Sequence, residues 1–370
     1  MKKLAVINGL RGYAILGVIY FHLIGAFINL PGFVTDKIAG ITIFPLSFLG
    51  HGWLGVDLFF ILSGFVLYLP YANGSRQLTT QSDLWTFYKN RAVRLLPLYF
   101  IVVLISIIFI VRWSNVQDAI FWRQILLMFT ITFNFTKDSF IPQSNYVLWS
   151  LGIEILFSVV FPLLIWMIAK MNIKRAILTI FYLSLAVRIL SCINDSMYYE
   201  FLVAPHLNMI KDSIIGRLDD FAIGMLIAHW FINGWKQQWF EKNSILLFAI
   251  GIAVLWIGFN FSDYVFLRML PVYYEPFTNT VFQLAFGLLT VSLLNMNANA
   301  LRFLFTNKFV QLSGMMCYSL YLWHGNMRMV FVSDFSALRI LCYFGFLYLL
   351  SFLTYRYIEF GNKKLTDILP

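Results

Sequence analysis

Long apolar stretches recur along this chain, parted by short polar segments rich in Lys, Arg, Asn and Gly. A bilayer core takes about 20 apolar residues to cross as a helix. Ten stretches meet that length, near 8–29, 53–71, 95–112, 147–168, 176–193, 214–232, 244–260, 278–297, 310–332 and 337–358. The stretch at 120–135 is apolar but short, and reads as a re-entrant or interfacial helix on the outer side. The pattern predicts an all-α polytopic membrane protein, a bundle of about ten transmembrane helices. An eleven-helix bundle, with 120–135 spanning, is the alternative. Residues 1–370 read as a single transmembrane domain with no appended soluble domain, no internal repeat and no low-complexity tract.

The basic residues orient this bundle. With ten spans, Lys2, Lys3, Arg11, Arg76, Lys89, Arg91, Arg94, Lys170, Lys174, Arg175, Lys363 and Lys364 fall on one side. Lys and Arg gather on cytoplasmic loops, so both termini are expected in the cytoplasm of a cell inner membrane. The net charge of +10 follows from the same bias. No basic run with interleaved aromatics points to a nucleic acid. Composition agrees, with 60% hydrophobic and 12% charged residues against about 25% charged in a soluble domain.

Within so apolar a chain, ionisable residues stand out, because they are costly in lipid and face a bundle interior or a wet cavity. Arg11 and His22 are eleven residues apart, three turns plus about 20°, and so share one face of the first helix. The pattern places Arg11 at the cytoplasmic mouth and His22 near the membrane middle. Asp57 in the second helix is expected at a similar depth, where a carboxylate would orient an imidazole and raise its basicity. The plain alternatives are a snorkelling arginine, a packing histidine and a helix-start aspartate. Ser63-Gly64 lets backbones approach closely. Arg91 and Arg94 form R-x-x-R at the expected mouth of the third helix, a clamp for phosphates or a plain topology signal. Glu154, expected about one and a half turns inside the outer surface, needs an arginine partner, an acceptor hydroxyl or a wet pocket. Arg217, Asp219 and Asp220 read first as a local charge network. His324 reads first as a packing histidine in the ninth span.

Other chemistries find little support. Cys192, Cys317 and Cys342 have no disulfide-framework or zinc spacing, and no H-x-x-x-H or H-E-x-x-H pattern suggests a metal. Gly50-His51-Gly52-Trp53-Leu54-Gly55 matches G-x-G-x-x-G but opens a membrane helix, without the strand that dinucleotide binding requires. A transporter or flippase would also need buried charges and many helices. No inverted repeat or matched pair of broken helices supports that reading.

Taken in order, N-G-L-R-G-Y-A-I-L with R-x10-H, G-W-L-G-V-D-L-F-F-I-L-S-G-F, Y-K-N-R-A-V-R-L-L-P-L-Y, L-W-S-L-G-I-E, G-R-L-D-D-F-A-I-G-M and Y-S-L-Y-L-W-H-G form a series over residues 8 to about 359. This series resembles membrane acyltransferase family 3, the transmembrane carbohydrate O-acyltransferases. One departure is Phe360-Gly361, where relatives often carry Pro after the Glu. The resemblance implies acetyl-CoA or another acyl-CoA as cytoplasmic donor, a hydroxyl of a cell-surface or lipid-linked glycan as acceptor, and no metal. It implies Arg11, Arg91 and Arg94 on the donor phosphates and His22 as general base or transient acyl carrier. Asp57 and Glu154 would assist, with Ser63, Arg217 and His324 on the acceptor side.

Overall fold

The computed structural model describes residues 2–24, 36–38, 41–110, 119–193, 207–297, 299–332 and 336–360. The main helices are α1 (Lys2–Leu23), α2 (Gly55–Ala72), α3 (Gln81–Ile105), α4 (Ala119–Phe129), α5 (Leu148–Met171), α6 (Ile173–Ser191), α7 (Leu218–Asn233), α8 (Ser244–Phe266), α9 (Glu275–Asn295), α10 (Cys317–Phe331) and α11 (Ala337–Thr354). A two-stranded antiparallel ribbon, β1 (Asp36–Ile38) and β2 (Ile41–Ile43), pairs Asp36 with Ile43 and Ile38 with Ile41.

Local chemistry explains several boundaries. Thr80 and Asp83 form a capping box: the Thr80 hydroxyl accepts from the Asp83 N–H, and the Asp83 carboxylate accepts from the Thr80 N–H. The box starts α3 fourteen residues before the expected 95, so Arg91 and Arg94 lie inside the helix rather than at its mouth. Asn172, at φ 65°, makes the turn from α5 into α6, and its side chain caps the Arg175 N–H, as N-cap asparagines do. Gly234, at φ 62°, ends α7 as a left-handed cap. Likewise α1 begins at Lys2, six residues before the expected 8, and residues 25–29 of the expected first span lie outside the described residues.

Among the described residues, seven helical segments are long and apolar enough to span a membrane: Leu4–Leu23, Gly52–Ala72, Gln81–Ile108, Leu148–Met171, Ser244–Phe266, Val272–Asn295 and Ala337–Glu359. The other three expected spans are also helical among the described residues, but each falls short physically. α6 carries Lys174, Arg175 and Arg188; α7 has 16 residues; and α10, with 15, is set off from Lys308–Met315 at Met316. The 11 residues of α4 cover about 16 Å and cannot cross alone.

The chain divides into two compact units, Met1–Gln77 with Trp166–Gly314, and Leu78–Ile165 with Met315–Pro370. In the first, α2 and α7 meet backbone to backbone. A Cβ on Gly64 would lie 2.0 Å from the Phe221 carbonyl oxygen, and one on Gly224 would lie 1.8 Å from that of Ile61. The close approach expected at Ser63-Gly64 is thus met by a reciprocal glycine on α7. Asn8 of α1 donates to the Gln311 carbonyl (2.9 Å), and Gln311 Nε2 donates to the Ala5 carbonyl (2.6 Å). The ribbon is held to α8, where Tyr264 donates to the Thr42 carbonyl and Asn260 accepts from the Phe44 N–H.

In the second unit, buried hydroxyls and amides close onto backbone carbonyls of neighbouring segments. Tyr99 donates to Met128 (2.7 Å), Tyr318 to Leu95, Asn134 to Trp149 (2.9 Å) and Asn145 to Leu322 (3.3 Å). Leu338, Leu341, Phe346 and Leu349 give α11 an exposed apolar face, as a lipid-facing helix requires. Replacing Gly224 by Ala should separate α2 from α7 at a cost of about 1–3 kcal/mol, the usual penalty for overpacking. Thermal unfolding in detergent checks this; an unchanged midpoint would contradict so tight a contact.

Candidate functional site

The described α1 carries Arg11 nine residues from its start and His22 one residue from its end. Arg11 therefore lies about 14 Å along the helix. It sits near the middle of the Leu4–Leu23 span rather than at a mouth, while His22 is near the span's end. The helix continues straight through Lys2 and Lys3, which shifts both residues along it relative to the expected depths. Both side chains are half-buried, and His22 stands edge-on to Phe21.

Asp57, in the first turn of α2, is 2% exposed. Its Oδ1 accepts from Arg217 Nη1 at 3.0 Å, so the structure brings Asp57 to Arg217 rather than to His22. Arg217 also donates through Nε to Asp212 Oδ1 (2.8 Å), with its Nη2 at 2.6 Å from the same oxygen, and stands 3.6 Å from Asp220. Lys211 donates to Glu275 at the start of α9 (2.6 Å). Burial works against the charge on Lys211, but Asp212 and Glu275 outweigh it and hold its pKa above the ordinary lysine value. Arg188 of α6 grips Asp219 through two parallel hydrogen bonds, 2.8 and 2.7 Å, and donates to the Gly216 carbonyl. The local network expected around Arg217, Asp219 and Asp220 thus extends to α2, α6 and α9.

Beside the ribbon, His51 Nδ1 lies 2.8 Å from the Ser47 carbonyl, which fixes the proton on Nδ1 and turns Nε2 toward Asp263 at 3.8 Å. Burial lowers the His51 pKa, although Asp263 opposes this. The Ser47 hydroxyl donates to Asp263 and lies 3.4 Å from His51 Nδ1, which carries its proton toward the Ser47 carbonyl and so does not accept from the hydroxyl. The three residues therefore anchor the loop to α8, and the serine proton points to the carboxylate rather than to the imidazole as a nucleophilic triad requires.

In the second unit, Arg91 Nε donates to Ser158 (3.1 Å) and its Nη2 lies 3.9 Å from Glu154. Glu154 thereby has its arginine. The pairing sets Arg91 level with the first turns of α5. Arg94, one turn on, is exposed. Ser63, on α2 in the first unit, is half-buried. His324 is fully buried, with Nδ1 2.7 Å from the Tyr321 carbonyl, while Tyr321 meets Ser150 of α5. Among the described residues, no group of three or more His, Cys, Asp or Glu is placed to hold a metal ion.

A family model described as an acyltransferase domain matches residues 4–356. The chain belongs to membrane acyltransferase family 3. This acyltransferase is similar to O-acetyltransferase OatA of Staphylococcus aureus (strain NCTC 8325 / PS 47), 25% identical over 296 residues, covering 68% of this chain and 45% of that protein. It is also similar to acyltransferase MdmB of Streptomyces mycarofaciens, 27% identical over 176 residues, 47% of this chain and 42% of that protein. A third relative is putative acetyltransferase ORF330 of Acidianus two-tailed virus, 30% identical over 146 residues, 39% and 36% of the two chains. The acyltransferase thus spans less than half the length of each of these relatives. No solved structure matches it significantly.

Several members of the acyltransferase's interior network were not singled out from sequence: Arg188, Lys211, Asp212, Glu275 and Gln283. Arg188 did carry a signal, a lone arginine in the apolar run Leu-Ala-Val-Arg-Ile-Leu, which demands a buried carboxylate. Removing one partner of a buried ion pair costs about 3–5 kcal/mol. Arg217→Gln should therefore sharply lower the folded yield, and adding Asp57→Asn should restore part of it, with a coupling of about 0.5–3 kcal/mol. Additive losses in a detergent melting cycle would contradict the pairing.

Proposed function

We propose that this membrane acyltransferase transfers an acyl group, acetyl by preference, from acyl-CoA to a hydroxyl of a cell-surface or lipid-linked glycan. The observation that carries this reading is helix α1. It is a span of an acyltransferase-family chain with an arginine and a histidine three turns apart on one face. The naming of the relative OatA as an O-acetyltransferase supports acetyl and an oxygen acceptor.

In this reading, His22 takes the proton of the acceptor hydroxyl as its oxygen attacks the thioester carbonyl. A C–O bond forms, the C–S bond breaks, and the coenzyme A sulfur leaves with the proton. Arg11, Arg91 and Arg94 bind the donor phosphates, for which guanidinium geometry is suited. Glu154 and Ser158 hold Arg91 in one orientation. Asp57 acts through Arg217 as part of the scaffold of α2. The membrane is the cell inner membrane with both termini cytoplasmic, so the donor arrives from the cytoplasm. His324 and Ser63 are assigned to the acceptor side.

His22→Ala should lower transfer from radiolabelled acetyl-CoA to surface glycan by about 100-fold or more, the range for loss of a general base. Protein level and CoA binding should stay unchanged, and retained transfer would remove His22 from the mechanism. Direct titration of CoA in detergent tests the cations. Arg94→Ala alone, and Arg91→Ala with Arg94→Ala, should each weaken binding about tenfold or more, as expected for lost charge-assisted bonds. Unchanged affinity in both would discard the phosphate assignment.

A further inference from the structure

Among the described residues, one cluster inside the first unit gathers three cations, Arg188, Lys211 and Arg217, and five carboxylates, Asp57, Asp212, Asp219, Asp220 and Glu275. All are buried. If every group were ionised, two negative charges would remain in excess. A buried uncompensated charge is expensive, and the usual response is to take up a proton.

The hydrogen bonds show which carboxylate is placed to do so. Asp219 accepts two bonds from a guanidinium, and Asp212 accepts from Arg217 and from the Asn208 N–H. Glu275 accepts from Lys211, and Asp57 from Arg217. Asp220 is different. Its Oδ1 accepts only from a neutral amide, Gln283 Nε2 at 2.9 Å. Its Oδ2 has no hydrogen-bond donor, and Arg217 Nη1 stands 3.6 Å away. Gln283 Oε1 is itself a buried acceptor with no donor, in a side chain 2% exposed. Two acceptors without donors therefore flank one N–H···O bond.

We propose that Asp220 is a proton-binding site, a neutral carboxylic acid at pH 7 whose O–H donates to Gln283 Oε1. An acid and a primary amide pair through two hydrogen bonds in one ring; the N–H···O half is present, and the proton supplies the other. The bond forms between that proton and Asp220 Oδ2, and the proton comes from water. The proton removes half of the excess charge and satisfies both orphaned acceptors at once. It also frees Arg217 for Asp57 and Asp212. The charged groups around it are Asp57 on α2, Lys211, Asp212 and Arg217 before α7, Arg188 on α6, Asp219 on α7 and Glu275 on α9. The site thus joins α7 to α9 by a contact that exists only while the proton is bound.

The test uses the full chain in detergent at neutral pH. In Asp220→Asn, the amide Nδ2 replaces the acid O–H as donor, so this variant should keep a melting temperature within a few degrees of the unaltered protein. Asp219→Asn, which weakens the grip of Arg188, should lose most of its folded yield. Difference infrared spectra should show the carbonyl stretch of a protonated acid in the unaltered protein and its loss in Asp220→Asn. In Gln283→Leu the same band should move to higher frequency. A spectrum with no acid band assignable to Asp220, or a loss of folded protein in Asp220→Asn equal to that in Asp219→Asn, would overturn the proposal.

Discussion

A guanidinium held away from water must meet carboxylates inside the protein, and Arg217 has three around it, from α2, from the segment before α7, and from α7 itself. Taking each such ion from water costs several kcal/mol, recovered only where geometry is good and further hydrogen bonds are made. The first unit depends on that condition. Asp57, Ile61 and Gly64 lie on one stripe of α2, spaced by four and three residues. They face Arg217 and, on α7, Phe221 and Gly224. The ion pair fixes the register of α2, and the two glycines then allow backbone contact only in that register. An error in one would break the other, so the interface has a single solution.

The same logic decides how far the residues could be read from sequence. That Asp57, Glu154 and Arg188 require partners follows from their apolar surroundings alone. Which partner each takes depends on contacts between residues far apart in the chain: Asp57 and Arg217 are 160 positions apart, and Arg91 and Glu154 come from separate helices. The ordered motifs along the chain pointed to the acyltransferase family that the family model matches, and the helical class followed from hydropathy. The count of about ten spans is met in part: among the described residues seven helices are long and apolar enough to cross, and the other three expected spans are helical but shorter or more charged.

Depth was the least legible quantity, for a physical reason. Apolar runs mark where a helix meets lipid, not where it begins. The capping box at Thr80 and Asp83 matches the [ST]-x-x-[DE] signature, yet it lies in a polar stretch that reads as loop. Helix α3 therefore contains the basic cluster that hydropathy left outside it. Helix α1 likewise runs through Lys2 and Lys3, since lysine is a good helix former and charge alone does not break a helix. Both cases set an arginine deeper in its helix, Arg11 by six residues and Arg91 by fourteen, so that each lies more than one turn further from the helix start than expected.

The sign of the buried charge also bears on where a phosphorylated donor binds. An interior with more carboxylates than cations repels phosphate, and one neutralised aspartate still leaves it without positive excess. Arg188, Lys211 and Arg217 already direct their hydrogen bonds to carboxylates. Pulling any of them toward a ligand would strand a buried anion at a cost comparable to the binding gained. The proposed donor site therefore draws on cations outside that cluster, such as exposed Arg94 and half-buried Arg11. The deeply buried charges set the position of the helices, and the less buried ones remain available to a substrate. In this chain burial therefore separates the arginines committed to internal carboxylates from the more accessible ones, a distinction that residue type and spacing do not make.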